Sequence, residues 1–143
     1  MTVPRDYSVS ALLVGDYEND RFLVHDIFHK AGWQLFEARD RAHAQECLNN
    51  NRVHVVIARA EGPTWNWKKV LADLHLLPCP PQLIVTSSQA DEYLWSEALN
   101  FGAFDVLPEP FYRDEVERVV ASARRHFEVG PLVHSRPVVL GAA

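Results

Sequence analysis

The sequence predicts an α/β fold, a doubly wound parallel sheet of five strands alternating with five helices. Three observations predict it. Short apolar runs, among them Leu12-Leu13-Val14, Val55-Val56-Ile57 and Leu83-Ile84-Val85, recur at intervals that leave room for a crossover helix. The segments between them carry helical spacing, helix caps and helix stops. The run Val55-Val56-Ile57 does not alternate with polar residues, as expected of a strand covered on both faces.

The elements follow in order. Ala11 to Val14 is a strand that ends in the polar loop Gly15-Asp16. From Asn19 to Ala31 the pairs Leu23/Ile27 and Val24/Phe28 stand four apart, an amphipathic helix stopped by Gly32. Trp33 to Ala38 alternates apolar and polar residues, a second strand. Asp40 caps a helix through Leu48 that dissolves in Asn49-Asn50-Asn51. Val53 to Ala58 is the third strand, and a helix begins near Asn66 and runs to Leu77. Pro78-Cys79-Pro80-Pro81 forces an extended connection, because each proline removes a donor and fixes φ. Leu83 to Thr86 is the fourth strand and Ala90 to Asn100 the fourth helix. Phe104 to Leu107 is a short fifth strand, and the last helix covers about Tyr112 to Phe127. Residues 1–9 read as an N-terminal extension and 10–127 as the domain. Residues 128–143, with Gly130, Pro131 and Pro137 and no period, read as a flexible tail.

At 143 residues the chain is long enough for one domain with a real core, and 48% apolar against 23% charged residues excludes a disordered polymer. The net charge of −5 argues against gripping nucleic-acid backbones. No apolar run is long enough to span a bilayer, and Met1 to Ser10 lack a secretory pattern. Cys47 and Cys79 make neither a disulfide framework nor a metal spacing, so a cytoplasmic location is expected. His25 and His29 stand four apart on a helix without a third ligand beside them, so no metal and no cofactor is expected.

In a doubly wound sheet, functional groups gather at the carboxyl ends of the strands. Gly15, Asp16, Arg59, Thr86, Ser87 and Glu109 all fall there. Ser87 and Ser88 have no histidine base near a strand end, so serine chemistry is not expected. Gly15 stands alone, without the lysine of a phosphate loop. Glu61 either enters the site or faces water. Trp65 and Trp67 form an aromatic lid or simply pack.

From Ser10 to Phe127 these residues resemble the receiver domain of bacterial response regulators, the two-component and phosphorelay signalling family that includes chemotaxis regulators. The resemblance rests on Leu12-Leu13-Val14 before an acidic loop, Val55-Val56-Ile57-Ala58 with Pro63 beyond Arg59, Thr86 closing the fourth strand, and Gly102-Ala103-Phe104-Asp105 leading to Glu109-Pro110-Phe111. It implies a flavodoxin-like sheet of order 2-1-3-4-5 and a cis bond between Glu109 and Pro110.

The resemblance also implies a site, and the chain departs from it. The family's Mg²⁺-binding acidic pair falls on Gly15 and Asp16, its phosphoacceptor aspartate on Arg59, its hydroxyl on Thr86 and its lysine on Glu109. The aromatic switch position falls on Val106. A guanidinium cannot accept a phosphoryl group and repels a dication. The set reads either as an inverted pair, Arg59 neutralised by Asp16 and Glu109, or as a drifted, solvated rim. The expectation is thus a degenerate, stand-alone receiver acting without phosphorylation and without enzymatic activity. Its interaction surface would include Tyr93, Trp95, Val106, Phe111 and Tyr112. Its partners would be a signalling protein (histidine kinase, other regulator or output protein) or a second copy, with no direct nucleic-acid or membrane contact. Two alternatives stand beside it: a small-molecule or anion sensor using Arg59 and Thr86, and phosphorylation on Asp16 or Glu61.

Overall fold

The structure, a computed structural model, describes residues 8–61 and 65–142, with side chains to residue 127. Ten elements alternate: β1 (Ser10–Val14), α1 (Arg21–Ala31), β2 (Gln34–Ala38), α2 (Arg41–Asn50), β3 (Val55–Arg59), α3 (Trp67–Leu74), β4 (Gln82–Ser87), α4 (Glu92–Phe101), β5 (Asp105–Pro108) and α5 (Arg113–Ala142). The strands form one sheet in the order β2-β1-β3-β4-β5, and every neighbouring pair is parallel.

The period-2 geometry of the strands sorts their side chains between two cores. Leu12, Val14, Val56, Ala58, Leu83, Val85 and Val106 face one layer, against Ala44 of α2, Val70 and Leu74 of α3 and Ala98 of α4. Leu13, Val55, Ile57, Ile84 and Leu107 face the other, against Val24 and Ile27 of α1 and Val116 and Val120 of α5. Both faces being covered, the central strands lose the apolar–polar alternation of a half-exposed sheet. This is the physical reason that Val55-Val56-Ile57 is continuous.

The helix ends follow local chemistry. Asp40, Asn66 and Asp91 each accept a backbone N–H from the first turn of α2, α3 and α4. Gly32 and Gly102 close α1 and α4 in the left-handed conformation that a side chain disfavours. The last helix differs from the sequence reading. The described backbone stays helical to Ala142, past the end expected near Phe127. No helix among the described residues is long and apolar enough to cross a membrane.

Candidate functional site

Register fixes where the site forms. Arg59 pairs with Thr86 across β3 and β4, and Thr86 pairs with Leu107 across β4 and β5. The strand ends are stitched further by Ala60 N–H to the Thr86 carbonyl and Glu109 N–H to the Ser87 carbonyl, at 2.7 and 2.9 Å. Arg59, Thr86 and Glu109 therefore leave the sheet side by side. The β1–α1 loop closes over them at the point where the chain order reverses between β1 and β3.

Glu109 is the hub. Its Oε2 accepts from Arg59 Nε at 3.1 Å and from the Thr86 hydroxyl at 2.9 Å, while Oε1 accepts from Arg59 Nη2 at 2.9 Å. The pair is bidentate, the geometry in which a guanidinium matches a carboxylate best. Only 9% of the Glu109 side chain is exposed against 36% of that of Arg59, so the pair is screened from one side only. The Glu109 carboxylate accordingly holds the Arg59 guanidinium above the ordinary arginine range.

Tyr17 supports both donors from beneath. Its ring lies 4.6 Å from the Arg59 guanidinium carbon, within cation–π range, and packs on Phe111 at 5.8 Å. Its hydroxyl lies 2.8 Å from Thr86 Oγ1. Thr86 has one hydroxyl proton and gives it to Glu109, so Tyr17 must be the donor to Thr86. The proton order is then Tyr17 to Thr86 to Glu109. Burial pushes the Tyr17 phenol well above its ordinary value, which keeps it a donor.

The structure corrects the expected role of Asp16. Arg59 Nη1 donates to the Asp16 backbone carbonyl, while the Asp16 residue is exposed. Gly15 lies at φ 117°, a conformation that L side chains rarely adopt. That turn swings the Asp16 carbonyl to the guanidinium. Tyr17 and Asp20 belong to the site and were missed by the sequence reading. Asp20 is buried and its Oδ1 accepts the Phe111 N–H at 3.3 Å, tying the β1–α1 loop to the segment after β5. The Glu109–Pro110 bond there is cis, as the resemblance implied.

The remaining positions separate. Val106 is buried because both faces of β5 are covered, and Phe111 is buried against Tyr17, so neither belongs to an exposed surface. Tyr93 and Tyr112 are 73% and 68% exposed, and Trp95 of α4 stands at 36%. Trp67 packs in the core, edge-on to Phe101, and the Trp65 indole N–H donates to Asp73, which also holds Arg41. Both tryptophans are packing residues. Glu61 is exposed and accepts from the Ser87 hydroxyl at 3.3 Å. His25 hydrogen-bonds Glu37, which Arg21 also grips.

A five-stranded parallel sheet of order 2-1-3-4-5, with its polar residues at the carboxyl ends of β1, β3, β4 and β5, is the fold of signal receiver domains. The chain superimposes on the signal receiver domain of an HD-domain protein from Pseudomonas fluorescens with a TM-score of 0.74 at 24% identity, covering 85% of this chain and 98% of that one. In sequence it is similar to sporulation initiation phosphotransferase F of Bacillus subtilis, 23% identical over 109 residues, 76% of this chain and 88% of the relative. It is also 26% identical over 133 residues to protein PetR of Rhodobacter capsulatus, of whose length it spans 55%. No family profile matches the chain.

Proposed function

We propose that this chain is a response-regulator receiver domain of two-component signalling that works without phosphorylation, as a protein-interaction module. The observation that carries the reading is the bidentate Arg59–Glu109 pair at the centre of the site. By the resemblance, those two positions hold a phosphoacceptor aspartate and a lysine; here the charges are exchanged. A guanidinium has no lone pair to offer phosphorus and remains cationic at every working pH. It also occupies the place from which a carboxylate would draw Mg²⁺. Gly15 cannot supply a replacement ligand, since a carboxylate residue at φ 117° is strained.

What such a domain offers instead is surface. Tyr93, Trp95, Leu99 and Phe101 of α4 and Tyr112 at the entry to α5 are all exposed, Leu99 and Phe101 at 46% and 52%. Exposed aromatics of this number are a feature of protein-binding faces. The partner is a signalling protein of the same system (a histidine kinase, another regulator or an output protein) or a second copy of the chain.

The test has two arms. Incubation with a small-molecule phosphodonor and Mg²⁺ is expected to leave the intact mass unchanged, and a phosphoryl adduct on any residue overturns the reading. Capture of cognate kinases and regulators is expected to be lost in the Tyr93→Ala/Tyr112→Ala variant while its melting temperature stays within about 2 °C of the native value. Equal capture by both proteins removes the surface from the account.

A further inference from the structure

The polar chain at the strand ends has the form of an occupied anion site. Three donors converge on one carboxylate: the Thr86 hydroxyl and two N–H groups of Arg59. Each donor is also held by something other than that carboxylate. Thr86 is fully buried and is oriented by the Tyr17 hydroxyl. Arg59 is held by the Tyr17 ring face and by the Asp16 carbonyl. Tyr17 is itself 1% exposed and braced by Phe111. The donor set is therefore preorganised by β3, β4 and the β1–α1 loop, and the carboxylate arrives from the segment just after β5.

We propose that Glu109 is a tethered occupant of an oxyanion site, and that removing its side chain opens a cradle for a small free carboxylate such as formate or acetate. The vacated space has the size of a carboxylate with its adjoining methylene. The donor pattern, one neutral hydroxyl and a two-pronged guanidinium, suits a planar two-oxygen anion better than a cation or a neutral amide. In the native chain the tether keeps the effective concentration of Glu109 far above that of any free anion, so the site is closed to soluble oxyanions. The anion-sensing alternative thus fails for the native chain through occupancy, not through lack of donors. This inference concerns the pocket alone, and it fails or stands separately from the phosphodonor and capture tests.

The experiment is thermal unfolding of the native chain, Glu109→Ala, Glu109→Gln and Glu109→Ala/Thr86→Val in sodium formate, sodium acetate or sodium phosphate, each against sodium chloride of equal ionic strength. Formate and acetate are expected to raise the melting temperature of Glu109→Ala saturably, by about 3 to 8 °C at ten times the dissociation constant. The native chain and Glu109→Gln, whose amide still fills the cradle, are expected to follow the chloride control. The double variant is expected to lose most of the response. If Glu109→Ala is unfolded by itself, the same two anions are expected to restore its near-ultraviolet circular dichroism. No response in Glu109→Ala by either readout, or an equal response in Glu109→Gln or the double variant, overturns the proposal. A response to phosphate equal to that to formate overturns the planar-carboxylate preference.

Discussion

Glu109→Lys is expected to destabilise the protein by about 2 to 4 kcal/mol, and the cost follows from the geometry. Two opposite charges about 4 Å apart are worth about 4 kcal/mol at an effective dielectric constant near 20. Arg59 is 36% exposed, which reduces the pair to about 2 kcal/mol, while the 9% exposure of Glu109 keeps it from vanishing. A lysine at 109 removes that attraction, leaves the Thr86 hydroxyl without its acceptor and sets an ammonium beside the guanidinium. Arg59→Asp is expected to cost a similar amount, because it places a second carboxylate next to Glu109. The double variant Arg59→Asp/Glu109→Lys restores complementarity in the opposite sense. It is expected to lie about 1 to 3 kcal/mol above the sum of the two single effects. Urea denaturation of the four proteins at low ionic strength, with a common m-value, closes the cycle. Single effects that add to within about 0.5 kcal/mol refute the coupling, and with it the reading of the site as an inverted ion pair.

Other expectations rest on separate features. Millimolar Mg²⁺ is expected to leave Trp65 and Trp67 fluorescence unchanged; a saturable change abolished by Asp16→Asn contradicts the account of the strand-end charges. Tyr17→Phe is expected to cost about 1 kcal/mol through loss of its bond to Thr86. The Tyr17 phenol is raised by burial, so a spectrophotometric titration should leave one tyrosine un-ionised until the protein unfolds, and that signal should be missing in Tyr17→Phe. His54 is buried at the opposite end of the sheet, where its Nδ1 accepts the Ser10 N–H at 3.0 Å and its ring meets Phe127 at 5.1 Å. Burial first, and then the Arg124 and Arg52 guanidiniums, push its pKa down to about 4. The unfolded chain, with an ordinary value near 6.5, binds the proton that the folded chain refuses. Stability is therefore complete above about pH 6.5 and falls by up to about 3 kcal/mol as the pH drops toward 4. His54→Asn, whose Oδ1 can still accept from Ser10, is expected to flatten that slope in pH-dependent urea melts; an unchanged slope assigns the proton uptake elsewhere.

What the sequence made legible, and what it hid, divides along the range of the interactions. The strands were legible because burial on both faces imposes an apolar run that needs no knowledge of the neighbouring strand, as at Val55-Val56-Ile57. The cap at Asp40 was equally local, a side chain reaching three residues ahead. Charge reversal at Arg59 and Glu109 was readable too, through the resemblance, which places the family's phosphoacceptor aspartate and lysine at those two positions. The direction of a side chain leaving a loop is not local in this sense. Of the three acids in the β1–α1 loop, Asp16 is the one that follows Gly15, and charge alone pointed its carboxylate at Arg59. The positive φ of Gly15 turns the backbone so that the carbonyl serves instead.

Tyr17 was hidden for the same reason in stronger form. It meets Thr86 across 69 positions and Arg59 across the width of β1 and β3, and nothing in its neighbours Asp16 and Glu18 announces either contact. Yet its place follows once the rest is known. A fully buried threonine hydroxyl that donates to a carboxylate has a lone pair left to satisfy, and the inner face of a half-exposed guanidinium needs a surface to rest on. A tyrosine is the side chain that meets both demands with one ring. The same logic excludes phenylalanine as an equivalent and makes Tyr17, rather than the Asp16 side chain, the loop residue that holds both Thr86 and Arg59. Loss of the Tyr17 hydroxyl should therefore reduce the Arg59–Glu109 coupling energy, whereas Asp16→Asn, which leaves the carbonyl in place, should not.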